Sequence, residues 1–188
     1  SNGRSSIGVV ATADILDRLS GATQDKLQAL VIEDPELSTI LKNAVYDTPV
    51  NRISSYAANV SRMWGDGFAL LGNAGEFLDP IFSSGVTIAM KSASLAVGVL
   101  DRQLNGETVD WEHDFARPLA KGVGVFKAYV ESWYDGTLQP IFFGKFKDAK
   151  IKQMLCSILA GYVWDETNPY VTRARPRLDV LAALCRKR

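Results

Sequence analysis

The spacing of apolar residues predicts mixed secondary structure in the first part of the chain. Residues 25–32 carry apolar side chains at helical intervals, which predicts an amphipathic helix. Pro35 suits the first turn of a second short helix over residues 35–44. The compact apolar run at residues 6–11 predicts a strand. Residues 52–63 have no helical period and predict an extended segment.

A hairpin and then a series of helices follow. Asp66-Gly67 suits a type I′ turn, and Phe68–Leu71 is the predicted return strand. Everything after the loop that follows reads as helical. The predicted helices cover residues 85–104, 109–135, 137–146, 148–163 and 175–186. Strands first and helices afterwards indicate an α+β fold. Because the predicted strands are too few to form a stable sheet alone, we expect them to complete a larger sheet.

The loop between the return strand and the next helix suits close approach to a ligand. Gly72 and Gly75 flank Asn73, so the backbone can lie flat while the amide side chain points outward. The next helix begins at Ser84-Gly85 with no acidic residue in its first turn, which leaves backbone N–H groups for an anion or an electron-rich ring edge. The alternative is a structural cap, in which Ser83 or Ser84 bonds the helix start with its own hydroxyl.

The composition restricts the kinds of site and partner that the chain is expected to have. The chain has 47% hydrophobic and 22% charged residues, an ordinary globular balance. His113 is the only histidine, which argues against a histidine metal site or a Ser-His-Asp triad, and no metal site is expected. Cys156 and Cys185 indicate free buried thiols of a reducing compartment, so a cytoplasmic location is expected. No apolar run approaches a membrane span, and no nucleic-acid partner is indicated.

Charge is unevenly distributed. From Thr137 onward the chain carries ten Lys or Arg against four acidic residues, and the preceding part carries 11 against 17. Solvated helix faces are the simpler interpretation. The alternative is a dock for an acidic partner. That dock would consist of Lys145, Lys147, Lys150, Lys152, Arg173, Arg175 and Arg177.

One continuous stretch resembles a known cofactor segment. Residues 64–86 begin with Gly-Asp-Gly and an apolar run, continue with Gly-Asn-Ala, and end with Asp-Pro and Ser-Ser-Gly-Val. This order is similar to the second FAD-binding segment of flavin-dependent halogenases, including tryptophan halogenases, and of their monooxygenase and geranylgeranyl-reductase-like relatives. The similarity after about residue 107 is loose.

The resemblance implies roles for matched positions. Asn73 stands where the family usually has Asp, and it would bond the ribityl chain of FAD. Pro80 and the amides of Gly85 and Val86 would lie along the isoalloxazine edge. Halogenases hold halide at the place matched by Ser84 and Gly85. The implied cofactor-binding set is Gly72, Asn73, Ala74, Asp79, Pro80, Gly85 and Val86.

The chain also departs from the family. It has no Gly-x-Gly-x-x-Gly for the ADP half of FAD, and the family's catalytic lysine has no match. The resemblance therefore implies the C-terminal part of a two-domain, glutathione-reductase-like Rossmann flavoenzyme, with the catalytic residues and the nucleotide-binding half elsewhere. Residues 4–72 would end the substrate-domain sheet, residues 73–106 would contact the flavin, and residues 107–188 would form a helical region.

Three functions stay open at this point. The first is an FAD-dependent halogenase or monooxygenase that acts on a small or carrier-protein-bound substrate, with a flavin reductase as a further partner. The second is a geranylgeranyl-reductase-like reductase or dehydrogenase. The third is a non-enzymatic helical interaction module with a basic tail. The chain alone is expected to be inactive and to lose FAD, because it carries only one of the two segments that bind the cofactor. Trp133 and Tyr134 are expected on the substrate side.

Overall fold

The computed structural model describes residues 3–54, 60–145 and 148–186. The chain divides into two compact units, Ser1–Tyr56 and Ala57–Arg188.

The first unit contains three short helices. They are α1 Ala13–Asp17, α2 Thr23–Glu33 and α3 Pro35–Ile40. Asp34 accepts hydrogen bonds from the backbone N–H groups of Glu36 and Leu37, at 3.0 and 2.9 Å, and so caps α3 as it begins at Pro35. The strand predicted over residues 6–11 is wrong. That segment has no regular structure, because no described strand pairs with its backbone.

The second unit begins with a short hairpin. Strand β1 Trp64–Gly65 pairs antiparallel with β2 Phe68–Ala69, with Trp64 opposite Ala69. The predicted hairpin is confirmed, but its type I′ geometry is wrong. Gly67 has φ of +79°, while Asp66 is not among the residues of positive φ, and type I′ needs both. The extended segment predicted at 52–63 shows no strand pairing where it is described, and residues 55–59 of it lie outside the described residues.

Helices make up most of the second unit. They are α4 Gly85–Leu104, α5 Arg117–Tyr134, α6 Leu138–Phe143, α7 Ala149–Leu159, α8 Pro169–Thr172 and α9 Ala174–Arg186. Three short elements join them: 3-10 turns at Gly72–Ala74 and Pro80–Phe82, and a π-helical segment at Glu112–Ala116. The helix predicted at 85–104 is confirmed. Those at 137–146 and 148–163 end earlier than predicted, and α8 was not predicted.

The helix predicted over residues 109–135 is not regular throughout. Pro118 lies in the first turn of α5, directly after the π-helical segment. Proline has no N–H to donate and crowds the carbonyl four residues earlier, so the preceding turn widens. The widened turn buries Phe115, which is 0% exposed.

The core of the second unit forms where α5 meets α4 and α9. Its fully buried side chains include Phe115, Leu119, Phe126, Tyr129 and Leu178. The coarse α+β prediction holds as a mostly helical unit with one small antiparallel sheet among the described residues. The larger sheet, the two-domain arrangement and the three-part domain division stay predictions.

Candidate functional site

The loop after the hairpin is anchored closely on α4. Gly72 has φ of +52°, and a Cβ built on it would lie 3.0 Å from the Cβ of Ala89. The Gly72 N–H donates to the Ser92 hydroxyl at 2.9 Å, and that hydroxyl donates to the Ala89 carbonyl at 2.8 Å. Ser92 is fully buried. The small side chains of Ala89 and Ser92 therefore allow the loop backbone to touch the helix.

The anchored turn presents Asn73 beside the start of α4. Asn73 and Ala74 are exposed, whereas Gly72 and Gly75 on either side are buried. A Cβ built on Gly85 would lie 3.8 Å from the Asn73 side-chain oxygen and within 4 Å of no other atom considered. The structure thus brings two predicted flavin contacts together, with open space over Gly85.

A left-handed residue leads the chain into α4. The Asp79 carboxylate accepts a hydrogen bond from the Ile81 N–H at 3.1 Å and starts the turn through Pro80. Ser83 then has φ of +54° and ψ of +36°, and it is the one non-glycine residue of positive φ in the described part of the chain. This conformation costs about 1–3 kcal/mol in a non-glycine residue and persists only when the surroundings enforce it. No feature of the local sequence indicates this conformation.

The start of α4 is not capped by a side chain. Ser84 occupies the cap position but makes no capping hydrogen bond, so the alternative of a structural cap by Ser84 is wrong. Its carbonyl accepts the first intrahelical bond, from Ile88 N at 3.0 Å. The first turn holds no acidic residue, and Gly85 and Val86 are exposed. Backbone N–H groups and the positive end of the helix dipole there favour a negative or electron-rich group.

Aromatic rings lie behind this turn. Phe82 meets Trp133 of α5 edge to face, with ring centroids 6.0 Å apart and planes at 85°. Trp133 also contacts Phe142 and Phe143 of α6, with centroids 6.3 and 6.4 Å apart. Trp133 is therefore next to the loop that precedes α4. The pairing joins residues far apart in sequence, and nothing in the local pattern indicated it.

One carboxyl group near the loop has a shifted pKa. Burial raises the pKa of Glu76, and the positive charge of Lys127 partly opposes this effect. The Glu76 backbone N–H bonds the Gly72 carbonyl at 3.0 Å, so its side chain starts from the same anchored turn.

The other predicted features are distributed differently. Within the described residues there is no group of three or more side chains suited to a metal ion, and no helix long and apolar enough to cross a bilayer. Cys185 is buried, but Cys156 is exposed, so the prediction of two buried thiols is wrong for Cys156. An open cleft of about 640 Å³ lies between residues 60–66 and the start of α5, and none of the predicted flavin contacts lines it.

Some of the basic residues after Thr137 form ion pairs and hydrogen bonds within the chain. Arg175 pairs with Asp135 and with Asp179, the second pair at 3.0 Å. Arg186 donates to the Gly136 carbonyl at 3.1 Å. Arg175 therefore braces the end of α5 and is not available as a free docking charge. Lys147 lies outside the described residues.

Comparison with known proteins gives consistent matches of partial length. The chain is 27% identical to a 1H-pyrrole-2-carbonyl-(peptidyl-carrier protein) chlorinase of Pseudomonas fluorescens, over 68% of the chain and 28% of that protein. It is 29% identical to a flavin-dependent halogenase of Penicillium aethiopicum, over 69% of the chain and 26% of that protein. A 1H-pyrrole-2-carbonyl-(peptidyl-carrier protein) brominase of Pseudoalteromonas luteoviolacea is 26% identical over 85% of the chain and 39% of its own length.

A solved structure has the same fold. A flavoprotein/dehydrogenase of Cytophaga hutchinsonii is 39% identical and superposes with a TM-score of 0.89, over 94% of this chain and 44% of that one. No protein-family model matches the chain. The chain spans less than half the length of each of these relatives. The resemblance is confirmed: this chain is a homologue of the flavin-dependent halogenases and related flavoproteins, to which it corresponds over part of their length.

Proposed function

We propose that the segment from Gly72 to Val86 is the flavin-contacting part of an FAD-dependent halogenase or monooxygenase. Two kinds of observation support this. The relatives are named as flavin-dependent enzymes. Independently, the space over Gly85 is open, and Asn73 borders it. The flavin edge would lie in this open space beside Asn73, here termed the cradle, and a side chain at residue 85 would occupy it.

The residues of this chain would bind and orient the cofactor. The exposed Asn73 amide offers both a donor and an acceptor to the ribityl hydroxyls. The amides of Gly85 and Val86 would donate toward the electron-rich flavin edge, with Pro80 packed beside it. Gly72, Ala74 and Asp79 would shape the backbone around it. FAD, when bound, supplies the transfer of electrons to oxygen.

The same helix start would hold a halide in a halogenase. Ser84 and Gly85 are the matched positions, and the backbone N–H groups there suit an anion. Ser84 is only 3% exposed, and its hydroxyl makes no capping hydrogen bond to the helix.

A dehydrogenase or reductase is the second candidate. It is favoured by the Cytophaga hutchinsonii structure, which has 39% identity to this chain and is named a flavoprotein/dehydrogenase. Such an enzyme would use the same cradle for FAD and hold no halide. Chloride binding that depends on Ser84 would separate the first candidate from the second.

The partners follow from the halogenase proposal. Two relatives are named for pyrrole substrates on a peptidyl carrier protein, so a carrier-bound substrate is proposed here, with an external flavin reductase. The nucleotide-binding half would cover the outer face of α4. That face is apolar and exposed, with Val86, Met90, Val97, Leu100 and Leu104 between 44% and 78% exposed.

The experiment is a matched pair of substitutions within α4. Gly85→Val places a side chain in the cradle, where a Cβ meets no atom closer than 3.8 Å, so the chain still folds. Gly98→Val makes the same change where a Cβ meets nothing within 4 Å. Flavin fluorescence is followed while each protein is raised to millimolar concentration. Quenching by wild type and Gly98→Val, with none by Gly85→Val, supports the proposal. Equal quenching by all three rejects it.

A further inference from the structure

Ser83 holds a conformation that its own side chain does not favour. It is left-handed, and its position in the chain is directly between Phe82 and the cap residue of α4. Its N–H donates to the Pro80 carbonyl at 2.8 Å. A single backbone bond within a tight turn opposes the steric strain only in part, so a further contact must hold the turn.

The neighbouring Phe82 provides that contact. Its ring is half-buried and packs against the core. The Trp133 ring meets it edge to face at 6.0 Å, in the arrangement that aromatic pairs prefer. Because Phe82 and Ser83 are adjacent, fixing the Phe82 ring also limits the backbone torsions available at Ser83.

The backbone of Trp133 is hydrogen-bonded to the residues that follow it. Its carbonyl accepts hydrogen bonds from the Gln139 side chain at 2.8 Å and from the Gly136 N–H at 3.3 Å. The turn that follows is tied to α9 through Asp135 and Arg175. These bonds hold the backbone around Trp133 in place while its ring packs beside the strained turn at Ser83.

We propose that Trp133 is a positioning residue, which holds Phe82 and thereby keeps Ser83 left-handed and the start of α4 open. The importance of Trp133 for flavin binding rests on the proposed function. Its effect on the conformation of Ser83 does not depend on that function. Trp133 does not need to touch the cofactor. Its ring acts through Phe82 on the residues that would.

Residue-resolved amide hydrogen exchange in the whole chain tests the structural part. The Ser83 N–H reports on the turn because it bonds Pro80. In Trp133→Leu its exchange is expected to accelerate roughly two- to tenfold, the factor that the loss of one aromatic edge contact implies. Trp133→Phe keeps a ring at this position and is expected to restore exchange to within about twofold of wild type.

A matched control separates positioning from general loosening. Trp111 meets Phe115 edge to face at 5.6 Å and 78°, away from the turn, so Trp111→Leu removes a comparable contact. Ser83 exchange is expected to stay at the wild-type rate in that variant. Phe82→Leu breaks the tested contact from the other side if Trp133→Leu fails to fold.

The outcomes are distinguishable. Unchanged Ser83 exchange in Trp133→Leu and Phe82→Leu overturns the inference, as does equal acceleration in Trp111→Leu. A parallel titration with flavin mononucleotide tests the proposed function. If wild type binds no flavin, the proposed function fails, whereas the exchange result still decides the role of Trp133. If wild type binds, weaker binding by Trp133→Leu with recovery in Trp133→Phe supports the inference.

Discussion

Replacing Gly72 by alanine is expected to destabilise the second unit. The φ of +52° at this position costs a non-glycine residue about 1–2 kcal/mol. The new Cβ would also lie 3.0 Å from the Ala89 Cβ, closer than ordinary van der Waals contact. Overpacking of this kind typically costs about 1–3 kcal/mol. The lower entropy of the unfolded alanine chain offsets about 0.4–1 kcal/mol of this cost, so the net loss is about 1–4.5 kcal/mol.

Urea unfolding followed by tryptophan fluorescence measures this loss. All four tryptophans lie within Ala57–Arg188, so the signal reports on the unit that contains Gly72. Gly98→Ala is the matched control. Gly98 is an exposed helical position where a Cβ meets nothing within 4 Å, and alanine there is expected to stabilise by about 0.5–1 kcal/mol.

A double-mutant cycle identifies the contact responsible. Ala89→Gly removes the atom that the new Cβ would meet, so Gly72→Ala should cost about 1–2 kcal/mol less in that background. A loss below about 0.5 kcal/mol for Gly72→Ala, or no coupling to residue 89, would refute the close packing of the loop on α4.

Three further outcomes are expected. Asn73→Ala should weaken flavin mononucleotide binding by about 1 kcal/mol, roughly fivefold, in a fluorescence titration, and unchanged affinity would remove Asn73 from the site. The Thr137 hydrogen bond and then Arg175 hold the pKa of Asp135 below its ordinary 3.8. Its stabilisation is present above that value and is lost as pH falls through the lower folded pKa, so the Tm gap between wild type and Asp135→Asn should narrow below about pH 4. A gap of constant size would contradict this assignment. Lys145→Glu with Lys150→Glu should slow association with an acidic carrier protein in stopped-flow experiments, less at high salt, and a salt-independent loss would indicate folding damage.

Local features of the fold could be predicted from the sequence. The bounds of α4 were predictable because its small and apolar residues keep one helical period from Gly85 to Leu104. The hairpin was predictable from Asp66-Gly67. The strand predicted at residues 6–11 was wrong because a strand needs a partner strand, and an apolar run alone does not provide one.

Long-range contacts could not be predicted in the same way. The resemblance placed Asn73 and Gly85 in one segment, but only the structure shows the Asn73 oxygen next to the space over Gly85. The edge contact of Phe82 with Trp133 joins residues whose spacing along the chain carries no signal. The left-handed Ser83 depends on such contacts, since serine has no intrinsic preference for that conformation.

In the proposed function, the turn at Asn73 and the start of α4 contact the flavin half of FAD. Amide chemical-shift mapping of the ¹⁵N-labelled chain tests it with three ligands: FAD, flavin mononucleotide and adenosine monophosphate. We predict weak binding, with Kd on the order of 1 mM. FAD and flavin mononucleotide should shift the same amides, at Asn73, Gly85 and Val86, and adenosine monophosphate should shift none of them. Shifts caused by adenosine monophosphate, or flavin-induced shifts confined to other parts of the chain, would contradict the claim.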